Sequence, residues 1–268
     1  MEFQMKPVQR IAEDVHQLPF HGNIPGGILC INPLVIMARE PVLVDTGVKW
    51  LREQYLRAVF SIVEPRDVKW IFLSHDDGDH AGNLMEVWEQ CPNAKLVTNF
   101  VGVGRLSEQH ELPMTKLVWI NDGESFDVGD RKLTCLRPPF FDSPATRGLW
   151  DPKNELYYSV DSFGALLKTG WYPEVSEVPA DDYQQGFDFW NRWNHPWHQL
   201  VDPAKMEKHL SRIRALSPKV LAGYHGPVSR TRNDQLFKMI ADISTMDPLV
   251  EWGQKELEGM LAAMQGQG

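Results

Sequence analysis

The stretch Ser74-His75-Asp76-Asp77-Gly78-Asp79-His80 is the most informative part of this chain. It directly follows the apolar run from Val68 to Leu73, which has the composition of a buried strand. Imidazole and carboxylate groups together suit a divalent or trivalent metal ion. Four side chains in this one loop are candidate metal ligands: His75, Asp77, Asp79 and His80. They exceed what one ion usually needs, so the stretch predicts a two-metal site, the alternative being a solvated acidic turn.

The composition is that of an ordinary globular protein with an acidic charge balance. The chain has 268 residues, a net charge of −9 and an isoelectric point of about 5.5, which disfavours nucleic acid as a partner. No apolar run approaches the roughly 20 residues that a membrane span needs, and the N-terminus lacks the apolar segment of a signal peptide. The three cysteines are widely spaced and odd in number, which indicates a reducing compartment. We therefore expect a cytoplasmic protein that has no membrane partner.

Strand and helix patterns alternate along the chain. Apolar residues of the segment 49–62 recur at near three- and four-residue spacing, which predicts a helix. Asp202 followed by Pro203 predicts the start of another helix. Gly27–Asn32 and Leu34–Ala38 have the pattern of a β-hairpin pair. Further strands are expected at Pro41–Asp45, Val68–Leu73, Lys95–Thr98, Leu117–Ile120, Lys132–Leu136, Leu156–Val160 and Lys219–Gly223.

This alternation predicts the α/β fold class. Two βαβα halves packed face to face form a four-layer αβ/βα sandwich. No long linker rich in Gly or Ser interrupts the pattern. Residues 1–268 are therefore expected to form a single domain.

Acidic and imidazole side chains recur directly after the predicted strands. In an α/β layer the strand ends converge on one edge, and binding sites are built there. Residues far apart in sequence can therefore meet without a local motif. The residues in such positions outside the loop are Asp45, Asp142, Asp161 and His225.

Two motifs resemble those of a known superfamily. His75-x-Asp77-x-Asp79-His80 is similar to the HxHxDH signature of the metallo-β-lactamase superfamily, and Asp45-Thr46-Gly47 matches its upstream DTG turn. A closer match is the branch formed by the diiron domain of flavodiiron proteins and the stand-alone oxygen-binding diiron proteins, which carries HxExDH. Leu156–Gly164 resembles the bridging-aspartate segment of that branch, and Tyr224–Val228 resembles its final His-Gly-Pro segment. The likeness runs from about residue 25 to residue 230.

The resemblance implies the metallo-β-lactamase fold and seven metal ligands. His75, Asp77 and Asp142 would bind one metal, Asp79, His80 and His225 the other, and Asp161 would bridge the two. Two positions depart from the branch, because Asp77 stands where Glu is usual and Asp142 stands where His is usual. A shell of three histidines and four aspartates is hard and anionic. It therefore favours iron, with manganese and zinc as the alternatives.

Two residues are expected to support the ligands without binding metal. Asp45 would accept hydrogen bonds and orient the loop, and Tyr224 would pack beside the site. Asp142 and Asp161 also have a plainer interpretation, since aspartate is common at turns. Asp76 is expected to be solvated.

A Trp-rich segment, 187–198, places three tryptophans at intervals of three and four residues. Such a stripe indicates a core face or a homodimer contact, and the alternative is a roof over the metal pocket. His195 and His198 are expected at the surface or along the pocket wall.

Three functions are compatible with these residues. The leading hypothesis is a diiron protein that binds or reduces O₂ or a similar small oxidant, as a sensor or as a reductase. About 40 residues follow His225, so we expect no flavodoxin domain and no flavin in this chain, and a separate electron donor would be needed. The runner-up is a metallohydrolase that activates water for attack on an ester, thioester or phosphodiester. The third is a degenerate site with a structural role.

Overall fold

The computed structural model describes residues 3–265 of the chain. The helices in this part are α1 (Arg52–Val59), α2 (Leu84–Gln90), α3 (Phe100–Ser107), α4 (Ala180–Trp193), α5 (Pro203–Arg214), α6 (Asn233–Ile243) and α7 (Gln254–Gln265). The strands of the first half are β1 (Phe3–Met5), β2 (Gln9–Ala12), β3 (Val15–Gln17), β4 (Phe20–Ile24), β5 (Gly27–Ile31), β6 (Leu34–Ile36), β7 (Val42–Val44), β8 (Trp70–Phe72) and β9 (Lys95–Thr98). The later strands are β10 (Leu117–Trp119), β11 (Ser125–Asp127), β12 (Lys132–Leu136), β13 (Gly148–Asp151), β14 (Leu156–Tyr158) and β15 (Val220–Ala222).

Two large sheets form the centre of the molecule. One has seven strands in the order β10-β9-β8-β7-β6-β3-β2, and the other has five in the order β11-β12-β13-β14-β15. Strands β7, β8, β9 and β10 are parallel to one another, as are β14 and β15. The carboxyl ends of β7 and β8 therefore share one edge of the first sheet, and those of β14 and β15 share one edge of the second.

Side chains of the five-stranded sheet alternate between two apolar cores, as the pleat of a strand requires. Leu156, Tyr158 and Ala222 belong to the core shared with the seven-stranded sheet. Tyr157 and Leu221 point to the opposite face, where they join a second core with residues of α4, α5 and α6. Residues of α1 and α2 pack on the seven-stranded sheet. The expected four-layer α/β sandwich is confirmed.

Most predicted elements are present within a residue or two of their expected bounds. Asp202 accepts hydrogen bonds from the amides of Ala204 and Lys205 at the start of α5. Within residues 3–265, no helix combines the length and the apolar character needed to cross a bilayer.

The predicted hairpin of Gly27–Asn32 and Leu34–Ala38 is wrong. Strand β5 pairs with β4 in a separate three-stranded sheet, whereas β6 pairs with β3 and β7. The chain crosses between sheets at Asn32, whose side-chain amide donates a hydrogen bond to the carbonyl of Gly226, 2.9 Å away. Because β6 is paired on both of its sides, by β3 and by β7, it has no free edge for β5.

Candidate metal centre

The loop after β8 is held in place by the turn that follows β7. The backbone amide and the hydroxyl of Thr46 both donate to the carbonyl of His80, at 2.6 and 2.9 Å. The two segments approach so closely at Gly82 that a Cβ there would lie 2.5 Å from the carbonyl oxygen of Gly78 and 2.6 Å from that of Gly47. A glycine at position 82 therefore allows the tight loop that gathers the predicted ligands.

Asp161 lies at the centre of the cluster that these segments form. Its Oδ1 atom is 3.0 Å from Nε2 of His80 and 3.1 Å from Nε2 of His225. Its Oδ2 atom is 3.5 Å from Nε2 of His75. The carboxylate thus faces all three histidines, which is the position expected of a bridging ligand.

The other aspartates divide the cluster into two halves. Oδ2 of Asp79 lies 3.6 Å from Nε2 of His80 and 3.3 Å from Nε2 of His225. We call Asp79, His80 and His225 the inner half. We call the remaining three the outer half: His75, Asp77 and Asp142, in which both carboxylates lie 3.7 Å from Nε2 of His75. In each half the donor atoms lie within 4.8 Å of one another, close enough to hold one metal ion.

The second nitrogen of each histidine is already occupied by a partner. Nδ1 of His80 lies 2.8 Å from Oδ2 of Asp45, Nδ1 of His225 lies 2.8 Å from the carbonyl of Cys30, and Nδ1 of His75 lies 3.1 Å from Oγ of Ser74. Metal-binding histidines are typically oriented in this way. Nε2 of His75, Nε2 of His80 and Oδ1 of Asp161 are buried without a hydrogen-bond partner. These orphaned atoms face one another, so the cluster fits a pair of metal ions.

Asp45 takes the supporting position that the sequence predicts. Its buried carboxylate accepts hydrogen bonds from the amide and hydroxyl of Ser74, both at 2.8 Å, and from the phenol of Tyr158 at 2.5 Å. Its backbone has a φ of 56°, an uncommon value for a residue other than glycine. Sequence reasoning missed Tyr158, since nothing local relates it to position 45.

Tyr224 packs beside the cluster, as predicted. Its ring stacks on His80 with a centroid separation of 3.8 Å, and its hydroxyl donates to the carbonyl of Asp79 at 2.5 Å. This hydrogen bond holds the loop backbone directly at a predicted ligand. Tyr224 therefore stabilises the positions of His80 and Asp79, two members of the inner half.

The carboxylates and imidazoles at the centre of the cluster shift the pKa values of one another. Burial would lower the pKa of His225, but its close contacts with the carboxylates of Asp161 and Asp79 raise it to about 9. Burial would raise the pKa of Asp161, but His80 and His75 hold it well below its usual value. These directions mean that protons and metal ions would compete for the same atoms.

The outer carboxylates behave in the opposite way. Burial raises the pKa of both Asp77 and Asp142, and repulsion from Asp142 adds to the effect at Asp77, whereas repulsion from Asp161 adds to it at Asp142. The outer half therefore has less compensation for its negative charge than the inner half. The side chains of Asp77, Asp79 and Asp142 are 42%, 31% and 19% exposed, whereas the three histidines are buried.

The Trp-rich helix α4 packs directly onto the cluster. Nε1 of Trp190 donates to the carbonyl of Asp161 at 2.9 Å, and the Trp190 ring lies 4.5 Å from the ring of His225, centroid to centroid. Asn191 donates to the carbonyl of Gly164 at 3.0 Å. This part of the helix therefore fixes the loop that carries Asp161.

Three polar residues are less exposed than expected. His195 and His198 are buried, so the surface alternative is wrong and the position along the pocket wall stays a prediction. Their Nδ1 atoms lie 3.0 and 2.9 Å from the carbonyls of Asn191 and Ile243, and neither residue joins the metal-binding groups. Burial lowers the pKa of His195 to about 4. Asp76 is not solvated, since its side chain is 10% exposed and lies 2.9 Å from Nε of Arg105.

The sandwich and the His/Asp cluster at the strand ends define a protein of the metallo-β-lactamase fold. A family model described as "ODP family beta lactamase" matches residues 28–226. This range covers most of the chain. The chain therefore belongs to this family.

Solved structures of flavodiiron proteins share the fold. A variant of the flavo di-iron protein from Thermotoga maritima superposes with a TM-score of 0.79 at 17% identity, over 93% of this chain and 63% of that one. Rubredoxin oxygen:oxidoreductase from Desulfovibrio gigas gives a TM-score of 0.78 at 16% identity, over 90% and 62%.

Curated relatives are longer proteins. The anaerobic nitric oxide reductase flavorubredoxin of Salmonella typhi is 24% identical over 134 residues, which is 50% of this chain and 28% of that protein. This chain spans about a third to a half of the length of several other curated relatives that it matches.

Proposed function

We propose that this chain holds a dinuclear iron centre and uses it to bind or reduce a small oxidant, O₂ or nitric oxide. The observation that carries the proposal is the position of Asp161, which faces three histidine nitrogens with an acidic group on either side. The names of relatives support it, since they include a flavo di-iron protein, an oxygen oxidoreductase and a nitric oxide reductase.

The donor set favours iron or manganese over zinc. Within the proposed shell, four carboxylates accompany three imidazoles. Oxygen-rich shells suit harder ions, and anionic ones stabilise higher oxidation states. Iron bound in this way would supply one-electron redox chemistry at two adjacent positions.

The residues of this chain would hold and shield that chemistry. Asp161 would keep the two ions at a fixed separation, while Asp45 and the Cys30 carbonyl would keep His80 and His225 in the orientation that exposes Nε2. Trp190 covers one side of His225 and excludes water there. Because Asp77 and Asp79 are the most exposed of the proposed ligands, a small molecule would enter beside these two carboxylates.

Electrons would come from a separate donor. The described residues form the metallo-β-lactamase-type sandwich, and the relatives named as flavoproteins extend well beyond the matched region. We propose that residues 1–268 act as a single domain that takes electrons from another protein or domain.

Metal content is the first measurement to make. Protein expressed with iron, manganese and zinc all available, then purified without chelator or immobilised metal, should contain about two irons per chain. After anaerobic reduction it should consume O₂ or nitric oxide, or bind one of them, whereas the Asp161→Ala variant should not. One metal or fewer per chain would contradict the proposal.

A metallohydrolase is the competing function. Two zincs per chain, with turnover of an ester, thioester or phosphodiester, would support it over the redox proposal. Asp77 and Asp142 count against it, because their negative charge offsets that of the metals and weakens their action as Lewis acids.

A further inference from the structure

Arg105 of helix α3 contacts the predicted ligand loop although it is not itself a metal-binding residue. Its Nε lies 2.9 Å from Oδ2 of Asp76. Asp76 stands between two members of the outer half, His75 and Asp77. The other oxygen of the Asp76 carboxylate is buried without a partner, and the ion pair with Arg105 compensates the charge of this carboxylate.

The same guanidinium also contacts the second loop of the outer half. Nη1 of Arg105 donates to Oγ of Ser143 at 2.9 Å, and Ser143 directly follows Asp142. Ser143 Oγ in turn accepts the amide of Ala145 at 3.1 Å, which closes the turn. One side chain thus connects the loop that carries Asp77 with the loop that carries Asp142.

The inner half is held by different groups. Its histidines are oriented by Asp45 and by the carbonyl of Cys30, and Tyr224 holds the backbone of Asp79. None of these contacts involves Arg105 or the Ser143 turn. Removing the arginine should therefore disturb the outer half and leave the inner half in place.

We propose that Arg105 is a positioning residue that sets the separation of Asp77 and Asp142 and so determines metal binding by the outer half. This inference rests on the proposed function, because it presumes that the cluster holds two metal ions. The guanidinium fork suits the role, since it can bond a carboxylate and a hydroxyl in fixed directions at the same time. A lysine ammonium would satisfy the charge of Asp76 without the same geometry.

The test is a Mn²⁺ titration of chelator-treated protein, followed by electron paramagnetic resonance and by equilibrium dialysis. Wild type should bind two Mn²⁺ ions with a spin-coupled spectrum. In Arg105→Met, binding of one ion should weaken by about 10- to 100-fold, as for other residues that support metal ligands. The other ion should bind as in wild type and give the six-line spectrum of isolated Mn²⁺. Arg105→Lys should lie between the two.

Arg212→Met is the matched control. Arg212 pairs with Asp122 at 3.0 Å, and its side chain is 47% exposed, against 46% for Arg105. The control should bind two Mn²⁺ ions with wild-type affinity. If Arg105→Met also does so, the proposed role of Arg105 is overturned.

A double variant separates positioning from general destabilisation. In Asp142→Ala, which already lacks one outer carboxylate, Arg105→Met should weaken Mn²⁺ binding by less than it does in wild type. An undiminished effect, or an equal loss of both ions, would mean that Arg105 acts on the whole fold, and would refute the inference. A wild-type chain that binds fewer than two Mn²⁺ ions would overturn the proposed function and this role with it.

Discussion

Two acidic clusters lie at opposite ends of strands β13 and β14, and they are neutralised in different ways. The arginine cluster contains Asp14, Asp130 and Asp151, which lie 3.0, 2.9 and 2.8 Å from the guanidinium of Arg131. Lys153 adds a second cation, 2.8 Å from Asp14. In the metal-site cluster, within residues 3–262, the carboxylates of the two halves and of Asp161 form ion pairs only with histidines.

The difference shows which cluster is neutralised by cations of the chain itself and which is not. Buried charges are costly unless they are paired, and the arginine cluster satisfies that requirement with permanent cations of its own chain. The metal-site cluster has only imidazoles, whose positive charge depends on protonation. The arginine cluster therefore has a structural role, and the metal-site cluster has the composition of a cation-binding site.

Of the changes considered, Asp161→Ala should have the largest effect on metal binding by the metal-site cluster. It removes the one carboxylate that faces all three histidines, so binding of the second metal should be sharply reduced. Metal content measured by plasma mass spectrometry should fall from about two per chain to one or fewer. A variant that keeps the wild-type stoichiometry would refute the bridging assignment.

Arg131→Met, in the arginine cluster, should lower the stability of the fold without weakening metal binding. Removing one partner of a buried ion pair costs about 3–5 kcal/mol, because it leaves uncompensated charge behind. Urea unfolding of chelator-treated protein would measure the change. Mn²⁺ binding by the folded variant should match wild type, and a loss of metal affinity would show that the two clusters are not independent.

Asp45→Asn should lower metal affinity by less than the change at Asp161. The amide cannot accept hydrogen bonds from both Ser74 and His80 in the way the carboxylate does. Loss of such a supporting contact typically costs about 10- to 100-fold in metal affinity. A competition assay with a chromophoric chelator would detect it, and the matching change in the arginine cluster, Asp151→Asn, should leave affinity unaltered.

Asp142→His should have the smallest effect, a shift in metal preference rather than a loss. It replaces one hard oxygen donor of the outer half by a nitrogen donor, which suits zinc better. Zn²⁺ should gain several-fold in competition against Mn²⁺. Unchanged competition would indicate that Asp142 does not bind metal.

The sequence predicted the parts of the site that depend on local order. The strand Val68–Leu73 and the loop behind it are contiguous, so their chemistry is visible in one stretch. The convergence of Asp161 and His225 follows from the rule that parallel strand ends share an edge. The fold class followed from the same alternation.

Contacts made across the sandwich were not predictable. His225 is oriented by the backbone carbonyl of Cys30, and a backbone contact cannot be predicted from the type of side chain at that position. Tyr158 donates to Asp45, which lies 113 positions earlier in the sequence. The pairing of β6 with β3 and β7 likewise has no signal in the sequence between β5 and β6, which explains why a local hairpin was expected there. Asp76 was expected in solvent because nothing near it in sequence indicates Arg105.

The predicted ligands are divided between the two sheets, since His75 and His80 follow β8 whereas Asp161 and His225 follow β14 and β15. Metal ions bound by these ligands would cross-link one sheet to the other. A ligand that binds only the folded chain, present at a hundredfold its dissociation constant, adds about 2.7 kcal/mol to the free energy of unfolding. The protein's resistance to proteolysis, and with it its half-life in a cell, should therefore follow the supply of metal.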